Sequence, residues 1–364
     1  MTASKVLRVG IAGCGEVAQV THLPTLALLR HQYRVTALFD VSPGLLKHCS
    51  SKFGVEKTYI DFADLIKDPE VDVVFILTAD EYHASFAVAA ADAGKAVFIE
   101  KPMALTREDA HAIIEAEERN KVCIMVGYMR RYALAYNVFK KLVGELKQID
   151  YVTVRDIIGD NSFFVEQSGA FPVKFDDFPA AANEDRIRRG AAIAKAALED
   201  RASSTRDVST YRLLGSLGSH DLSAMRELLG VPKSCFAATR AKGPSPFITA
   251  LFEYESFTAT YETGIDGVRV FDAFIEVMGD GKRIKLDYDT PYVKGLPITI
   301  TVLESDQDGH HVERTIRPTY KDAYTIELEE LYDCIVHGKK CKTGPQDAAQ
   351  DLLIFDMVMK NLRN

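Results

Sequence analysis

The sequence predicts an α/β domain with a doubly wound parallel sheet, followed by an α+β domain with a large, mainly antiparallel open sheet. Up to about residue 126, short apolar runs alternate with helical patterns, and the first run leads into a glycine-rich turn. Strands that alternate with helices form right-handed units and a parallel sheet. Beyond about residue 150, apolar runs follow one another with Gly, Pro and Asp between them, which is typical of antiparallel strands.

Length and composition favour two domains and exclude several classes of partner. At 364 residues the chain exceeds what one core fills, so we expect domains over 1–126 and 127–364, whose C-terminal helices could pack back on the first domain. A net charge of −8 argues against binding to nucleic acid or to an anionic membrane. The chain lacks an apolar run long enough to span a membrane, and residues 1–10 lack the apolar core of a signal peptide. We therefore expect a cytoplasmic protein.

In the first domain, strand patterns and one capped helix can be assigned in order. The predicted strands are Val6–Ala12, Tyr33–Asp40, Val71–Leu77, Ala96–Glu100 and Val122–Val126. Thr106 with Asp109 three residues later is the pattern of an N-cap, which predicts a helix from Thr106 to Asn120. Tyr132–Gly144 is predicted to be a linking helix.

The second domain has eight predicted strands and four predicted helices. The strands are Tyr151–Ile157, Cys235–Arg240, Ile248–Tyr254, Phe257–Thr263, Phe271–Met278, Arg283–Tyr288, Ile298–Leu303 and Val312–Ile316. The helices are Asn183–Asp200, His220–Gly230, Asp322–Val336 and Gln346–Leu362. A sheet of this size with an uncovered face needs a polar surface or a partner. We expect a homodimer or homotetramer through this sheet.

The glycine-rich turn has the pattern of a dinucleotide-binding loop. Gly13-Cys14-Gly15-Glu16-Val17-Ala18 fits G-x-G-x-x-G/A, follows a predicted strand and precedes a helical pattern. Asp40 ends the second strand 22 residues after Ala18, close to the spacing that places a carboxylate on a ribose hydroxyl. The alternative is an ordinary turn with chance glycines. The pattern favours a Rossmann domain that binds NAD, with Gly13, Cys14, Gly15, Glu16, Val17 and Asp40 at the cofactor.

Further polar residues follow strands at the same carboxyl edge. Glu100-Lys101-Pro102 comes directly after a strand, and Lys101 could donate to or orient a substrate hydroxyl; the alternative is a surface lysine before a turn proline. Thr78 and His83 are expected to face the cofactor, although a histidine at a helix start also commonly meets backbone groups. Both belong with Glu100 and Lys101 to the predicted cofactor site.

His220 is the candidate base of the second domain. It stands among small residues at a predicted helix start, and oxidation of a secondary alcohol needs a base for the hydroxyl proton. Asp221 could orient this histidine or cap the helix, while a lone histidine here is also a common structural feature. Between the domains, Gly127–Tyr132 carries Arg130 and Arg131, which could hold cofactor phosphate, a polar substrate or an interdomain carboxylate.

The cysteines and histidines do not predict a metal site. The six cysteines are scattered without a C-x-x-C pair, and we expect reduced thiols. His310-His311 is a local histidine pair in the polar segment Ser305–Glu313, which is typical of a hairpin loop.

These motifs together resemble the Gfo/Idh/MocA oxidoreductases, which include glucose-fructose oxidoreductase and inositol 2-dehydrogenase. The resemblance covers nearly the whole chain, and Glu100-Lys101-Pro102 after a Rossmann strand is its most specific part. It implies NAD(P) in the first domain and a sugar, polyol or derivative against the C-terminal sheet. It further implies Lys101 as the substrate-orienting residue and His220 as acid and base. Met129 and Arg131 are then expected at the cofactor, and Tyr128, Arg130 and Ser216 at the substrate.

The chain departs from this family in two places. The family segment D-x-G-x-H has Ser216 at its aspartate position, and Tyr211–Leu214 replaces the preceding Gly-Gly. A serine cannot support an imidazolium by charge, so Asp221 takes over or the site works differently. The predicted helix Asn183–Asp200 is also longer than the family leads us to expect, and we place it near the substrate pocket.

The sequence thus predicts an NAD-dependent dehydrogenase or reductase that acts on CH–OH groups of a sugar, polyol or cyclitol. Asp40 favours NAD over NADP, because a carboxylate repels a 2′-phosphate and Val41-Ser42-Pro43 offers no arginine. One alternative is a non-catalytic regulatory protein that binds a dinucleotide on the same scaffold, which the loss of the aspartate at Ser216 favours. Another alternative keeps the enzyme class and changes the substrate to a glycoside or an imine-like molecule.

Overall fold

A computed structural model describes residues 5–363 of the protein. It confirms the predicted fold class, since a six-stranded parallel sheet is followed by a nine-stranded mixed sheet that is mainly antiparallel. The chain forms two compact units. Unit 1 contains the described residues up to Gly127 with Gly169–Val208 and Glu327–Ala349, and unit 2 contains Tyr128–Ser168, Ser209–Ile326 and the described residues from Gln350 onward.

The six strands of unit 1 pair in the order β3-β2-β1-β4-β5-β6, and every pair is parallel. Their bounds are β1 Leu7–Ala12, β2 Tyr33–Phe39, β3 Lys57–Tyr59, β4 Val73–Ile76, β5 Ala96–Glu100 and β6 Ile124–Gly127. This is the strand order of a dinucleotide-binding fold, in which the order reverses between β1 and β4 and leaves a crevice at their carboxyl ends. The five predicted strands are therefore found, and β3 was missed because it has only three residues, none of them buried.

Helices alternate with strands up to Gly127, as the sequence predicts for the first domain, and the later strands between Ser234 and Ile316 follow one another without a helix between them. The α-helices are α1 Leu23–Leu28, α2 Pro43–Phe53, α3 Phe62–Lys67, α4 His83–Asp92, α5 Arg107–Asn120, α6 Met129–Tyr132, α7 Leu134–Gly144, α8 Asn161–Glu166, α9 Ala180–Leu198, α10 Thr205–Leu213, α11 Ser219–Leu229, α12 Ala323–His337, α13 Pro345–Ala348 and α14 Asp351–Asn361. Thr106 caps α5 as predicted, because its side chain accepts a hydrogen bond from the Asp109 amide at 3.0 Å.

The core of unit 1 is aliphatic and aromatic. Every residue of the central strand β4 is buried, as expected where helices cover both faces of the sheet, and every residue of the edge strand β6 is buried as well. Phe75 and Phe98 stack with their ring centroids 4.8 Å apart, so they join β4 to β5. Tyr33 on β2 donates to the carbonyl of Leu328 at 2.6 Å, which fastens the late segment Glu327–Ala349 to the sheet.

The two units differ from the division expected at residue 126. The first boundary lies at Gly127, but the segment Gly169–Val208 folds with unit 1 and carries α9 there. The expected division assumed that each domain is continuous along the chain. Specific hydrogen bonds instead hold this segment to the rest of unit 1. The Gln19 side chain donates to the carbonyl of Val173 and accepts from its amide, each at 3.0 Å, and the Lys52 ammonium donates to the carbonyl of Phe171 at 3.3 Å.

Unit 2 is built on the nine-stranded sheet, in the order β14-β13-β12-β11-β7-β10-β9-β8-β15. The strands are β7 Tyr151–Ile158, β8 Ser234–Arg240, β9 Phe247–Glu253, β10 Thr258–Ile265, β11 Phe271–Gly279, β12 Lys282–Tyr288, β13 Thr299–Ser305, β14 His311–Ile316 and β15 Leu362–Arg363. All eight predicted strands are present. The added strand β15 comes from residues predicted to end the last helix.

One face of this sheet carries ion pairs. Arg155 on β7 binds Glu262 on β10 at 2.6 Å and Asp272 on β11 at 3.1 Å, and its guanidinium lies over the Phe274 ring. These pairs give that face the polar character that an uncovered sheet requires. A homodimer or homotetramer through the sheet remains a prediction.

In the described part of the chain, none of the helices combines the length and the apolar character needed to cross a bilayer. All six cysteines are free thiols, as predicted.

A matched pair of glycines tests how tightly unit 2 is packed. A Cβ atom at Gly279 would lie 2.1 Å from the carbonyl oxygen of Gln148, whereas one at Gly267 would meet nothing within 4 Å. Because backbone cannot yield as a side chain can, we expect Gly279→Ala to lower the free energy of unfolding by about 1–3 kcal/mol. Gly267→Ala is the control, and urea unfolding of both variants is the measurement. Equal stability of the two variants would contradict the close approach.

Candidate active site

The glycine-rich loop leaves β1 through a turn that only glycine fits. Gly13 has a φ of 98°, and a Cβ there would lie 2.7 Å from the carbonyl oxygen of Leu77. Its amide donates to the carbonyl of Phe39 at 2.9 Å, so the loop is held against the end of β2. Gly15 faces open space, with nothing within 4 Å of a Cβ. The loop therefore combines a fixed entry with an uncovered backbone where a phosphate could approach.

Asp40 joins this loop to the end of β2. Its carboxylate accepts from the Cys14 amide at 2.7 Å and from the Ser42 amide at 2.9 Å. Burial raises the pKa of Asp40, and these two hydrogen bonds oppose that effect by stabilising the ionised form. A carboxylate has about four lone-pair positions, so Asp40 keeps acceptor capacity for a ligand.

A cavity of about 610 Å³ opens beside this loop. Its walls include Gly13, Gly15, Asp40, Thr78 and Phe86 from the sheet side. The buried hydroxyl oxygen of Thr78 has no hydrogen-bond partner among residues 5–363. An unsatisfied buried hydroxyl costs free energy unless a ligand or water meets it, so Thr78 fits the predicted role at the cofactor.

The other wall of the cavity comes from residues 178–186. Phe178, Ala182, Asn183, Asp185 and Arg186 line it, and all of them belong to unit 1. Asp185 accepts from the Tyr82 hydroxyl at 3.1 Å and from Arg189 at 2.7 Å, so α9 is fixed over the loop that follows β4. This helix therefore lies at the predicted dinucleotide cavity, and its place near the substrate pocket stays a prediction.

Glu100 ends β5 in a buried ion pair. One carboxylate oxygen lies 2.6 Å from His22 Nε2, and the other accepts from the Lys101 amide at 3.1 Å. Burial alone would raise the pKa of Glu100, but the hydrogen bond with His22 and the nearby Lys101 charge hold its pKa below the usual value. Glu100 was expected at the cofactor; these contacts assign it to the support of the backbone that carries Lys101.

His83 supports the same backbone from the other side. Its Nδ1 lies 2.8 Å from the carbonyl oxygen of Pro102, and its Nε2 lies 3.1 Å from the carbonyl oxygen of Thr78. The ring is buried. His83 therefore makes contacts with backbone groups, which was the alternative to a contact with the cofactor. Lys101 itself is half-exposed at the carboxyl end of β5.

In unit 2, His220 is the second residue of α11 and is half-buried. A π-helical turn, Leu214–Gly218, precedes it, and Ser216 is the exposed residue of that turn. Extra residues of this kind within a helix are frequent at functional sites. Ser216, at the expected aspartate position, therefore lies in a π-helical turn rather than in a regular α-helix.

Asp221 is fully buried and paired with Arg130. The guanidinium contacts the Asp221 carboxylate, lies 3.2 Å from Asp156 and stacks 4.7 Å from the centre of the Tyr288 ring. Burial raises the pKa of Asp221 well above its usual value; the Asp156 charge adds to this effect and the Arg130 charge opposes it. Arg130 thus takes part in an internal network, and Asp221 has the contacts of a structural residue; the contact of Arg130 with a substrate stays a prediction.

The rest of the Tyr128–Tyr132 segment is also held internally. Tyr128 donates to Asp351 at 2.6 Å, and Arg226 binds the same carboxylate at 2.9 Å. Arg131 donates to Glu227 at 2.5 Å, and Met129 is buried. Within unit 2 these contacts make the segment part of the core, so its predicted cofactor and substrate contacts remain predictions.

Several residues at these sites were not foreseen. Asp156 interrupts the buried alternation Val152, Val154, Ile158 on β7, which is a signal that sequence reasoning could have used. Gln19 and His22 lie in a wholly buried π-helical turn after the glycine loop, where no periodic pattern marks a polar partner. The exposed hairpin turn brings His310 together with Asp306 and Asp308, and the Asp306 carboxylate accepts from two backbone amides of that turn.

Comparison with known proteins gives matches that cover different shares of the chain. A model of the GFO_IDH_MocA oxidoreductase family, with an NAD-binding Rossmann fold, matches residues 7–128. Inositol 2-dehydrogenase of Salmonella typhimurium is 40% identical over 146 residues, which are 39% of this chain and 43% of that protein. Inositol 2-dehydrogenase 2 of Saccharopolyspora erythraea is 25% identical over 333 residues, which are 89% of this chain and 83% of that protein.

Among solved structures, a levoglucosan dehydrogenase in complex with NADH and levoglucosan has a TM-score of 0.74 at 20% identity. The match covers 98% of this chain and 97% of that chain, and it shows the shared fold. The chain spans less than half of the length of the Salmonella relative. Residues 7–128 are similar to the Gfo/Idh/MocA oxidoreductase family with its NAD-binding Rossmann fold, and 39% of the chain is similar to inositol 2-dehydrogenases.

Proposed function

We propose that the protein is an NAD-dependent dehydrogenase or reductase that acts on a CH–OH group of a sugar, polyol or cyclitol. The observation that carries this proposal is the cavity at the glycine loop, where Asp40 and the unpartnered Thr78 hydroxyl line one wall. Gly15 supplies uncovered backbone for a pyrophosphate, and Asp40 supplies acceptors for ribose hydroxyls. The donor set therefore fits a dinucleotide.

A nicotinamide bound in this cavity would supply the hydride acceptor for the alcohol carbon in oxidation and the hydride donor for the ketone in reduction. Lys101 binds the substrate oxygen through its ammonium group and orients it. His220 takes the hydroxyl proton during oxidation and gives it back during reduction. Glu100, His22 and His83 hold the backbone around Lys101 through the contacts at Glu100 and Pro102.

A non-catalytic regulatory protein that binds a dinucleotide is the second candidate. The serine at the usual aspartate position favours it, because a serine carries no negative charge, and the Asp221 carboxylate is engaged with Arg130. A screen of sugars, polyols and cyclitols with NAD⁺, followed by absorbance of the reduced cofactor, separates the two. Reduction with any of these substrates identifies the enzyme.

Titration with NADH and NADPH, followed by nicotinamide fluorescence, tests the cofactor part of the proposal. We expect saturable binding of NADH in the micromolar range that is typical of such sites, about −8 kcal/mol. Absence of binding by both nucleotides would refute the proposed function.

Gly15→Ala should separate cofactor binding from folding. The added methyl group meets open space in the protein, so the melting temperature should stay unchanged, while the approach of a pyrophosphate is blocked and the Kd for NADH rises about tenfold. Gly13→Ala is the contrast, since its methyl group clashes with backbone and lowers the melting temperature as well. Unchanged NADH affinity of Gly15→Ala would place the pyrophosphate elsewhere.

Lys101→Met should abolish turnover with little effect on NADH affinity. Loss of the hydrogen bond that orients the reacting oxygen is expected to lower kcat by about 10²–10⁴. Lys67→Met, at an exposed lysine on α3, is the matched control. Steady-state kinetics with the substrate found in the screen, together with NADH titration, is the measurement. Retained turnover would remove Lys101 from the mechanism.

A further inference from the structure

A segment outside the Rossmann strands lies against the start of α2, beside Asp40. We call residues 170–178 the strap. Asp177 in the strap contacts the Ser42 hydroxyl, and its second oxygen accepts from the Gly44 amide at 2.7 Å. The strap therefore brings a carboxylate to a helix N-terminus, where partial positive charge favours an anion.

The backbone donors at this helix start are all occupied. The Ser42 amide donates to Asp40 at 2.9 Å, the Gly44 amide donates to Asp177, and the Leu45 amide donates to the Ser42 hydroxyl oxygen at 3.0 Å. Pro43 has no amide hydrogen. A 2′-phosphate on a ribose held by Asp40 would need donors at this place, and Asp177 already uses one of them.

Gly44 leaves the space that the contact between the strap and α2 needs. A Cβ atom at Gly44 would lie 2.5 Å from the Phe175 ring and 2.8 Å from the Asp177 carboxylate. Any side chain at this position would push the strap away. Gly44 thus allows the aromatic ring and the carboxylate of the strap to sit directly on the backbone of α2.

Two carboxylates, those of Asp40 and Asp177, bring negative charge to the start of α2. The hydrogen bond from Ser42 lowers the pKa of Asp177, so its carboxylate is ionised at neutral pH, and its charge contributes to the raised pKa of Asp40. A phosphate monoester adds close to two further negative charges. Carboxylate and phosphate would repel each other over the short distance that a shared helix start allows.

The strap does not depend on Asp177 alone for its position. Gln19 holds Val173 through two hydrogen bonds, Lys52 donates to the carbonyl of Phe171, and Lys174 pairs with Glu16 at 3.2 Å. Removal of the charge at Asp177 should therefore leave the strap in place.

We propose that Asp177 is a second specificity-determining carboxylate, which acts with Asp40 to exclude a 2′-phosphate and so selects NAD over NADP. This inference rests on the proposed function. It assigns part of the cofactor preference to a segment that lies about 130 residues after the strand that carries Asp40. Arg186, which also lines the cavity, is the residue that would serve the opposite preference.

The test compares the Kd values of NADPH and NADH in the wild type, Asp177→Asn, Asp177→Ser and the neighbouring control Asp176→Asn, by fluorescence titration. We expect the ratio of NADPH to NADH Kd to fall about tenfold in both Asp177 variants and to stay unchanged in the control. Melting curves verify that all four proteins are folded.

The outcomes distinguish this inference from the function on which it rests. If the ratio of the NADPH Kd to the NADH Kd is the same in the wild type and in the Asp177 variants, Asp177 has no part in selectivity and the inference is wrong. A wild-type preference for NADPH that Arg186→Gln removes would also overturn it. A wild type that binds neither nucleotide refutes the proposed function itself.

Discussion

The close approach of Gly13 to the backbone at Leu77 is the contact on which the candidate cofactor site depends. It lets the chain leave β1 between the ends of β2 and β4, with its amide on Phe39 and the next amide on Asp40. The turn exposes Gly15 and directs the chain into the following helical turn. A side chain at Gly13 would separate these strand ends, and Asp40 and Thr78 would no longer line the same cavity.

Around that contact, unit 1 uses charged residues to hold backbone. Asp40 holds the glycine loop, Glu100 with His22 holds the start of the Lys101 segment, and His83 connects Pro102 to Thr78. Unit 2 uses charge differently, with Arg130 between Asp156 and Asp221 in its interior. Breaking such a buried pair leaves an uncompensated charge, which costs far more than an exposed pair does. The charged residues near the predicted sites thus have mainly a positioning role.

Much of this could be predicted from sequence, because local patterns encode it. Hydrophobic periodicity and the Gly13–Ala18 spacing predict both sheets and the cofactor loop, and Thr106 marks its helix start to the residue. Partners of buried polar groups are not encoded locally. Asp221 stands next to His220 in the sequence, yet its buried carboxylate pairs with the distant Arg130. His83, likewise, has its two ring nitrogens against backbone carbonyl oxygens.

The position of the strap could not be predicted for the same reason, because its partners are distant in the sequence. Gln19 and Val173 are 154 residues apart, and no periodic signal connects an amide side chain to a distant peptide group. The late segment of unit 1 shows what this arrangement means for synthesis. On the edge strand β6, the Val126 amide donates to the Thr343 carbonyl, and the Thr343 hydroxyl donates to the Val126 carbonyl. The Tyr33 hydroxyl donates to the Leu328 carbonyl. Because ribosomes deliver chains from the N-terminus onward, the nucleotide-binding unit cannot complete its packing until nearly the whole polypeptide has emerged. The early strands of unit 1 must therefore wait, partly unprotected, until Glu327–Ala349 has been made.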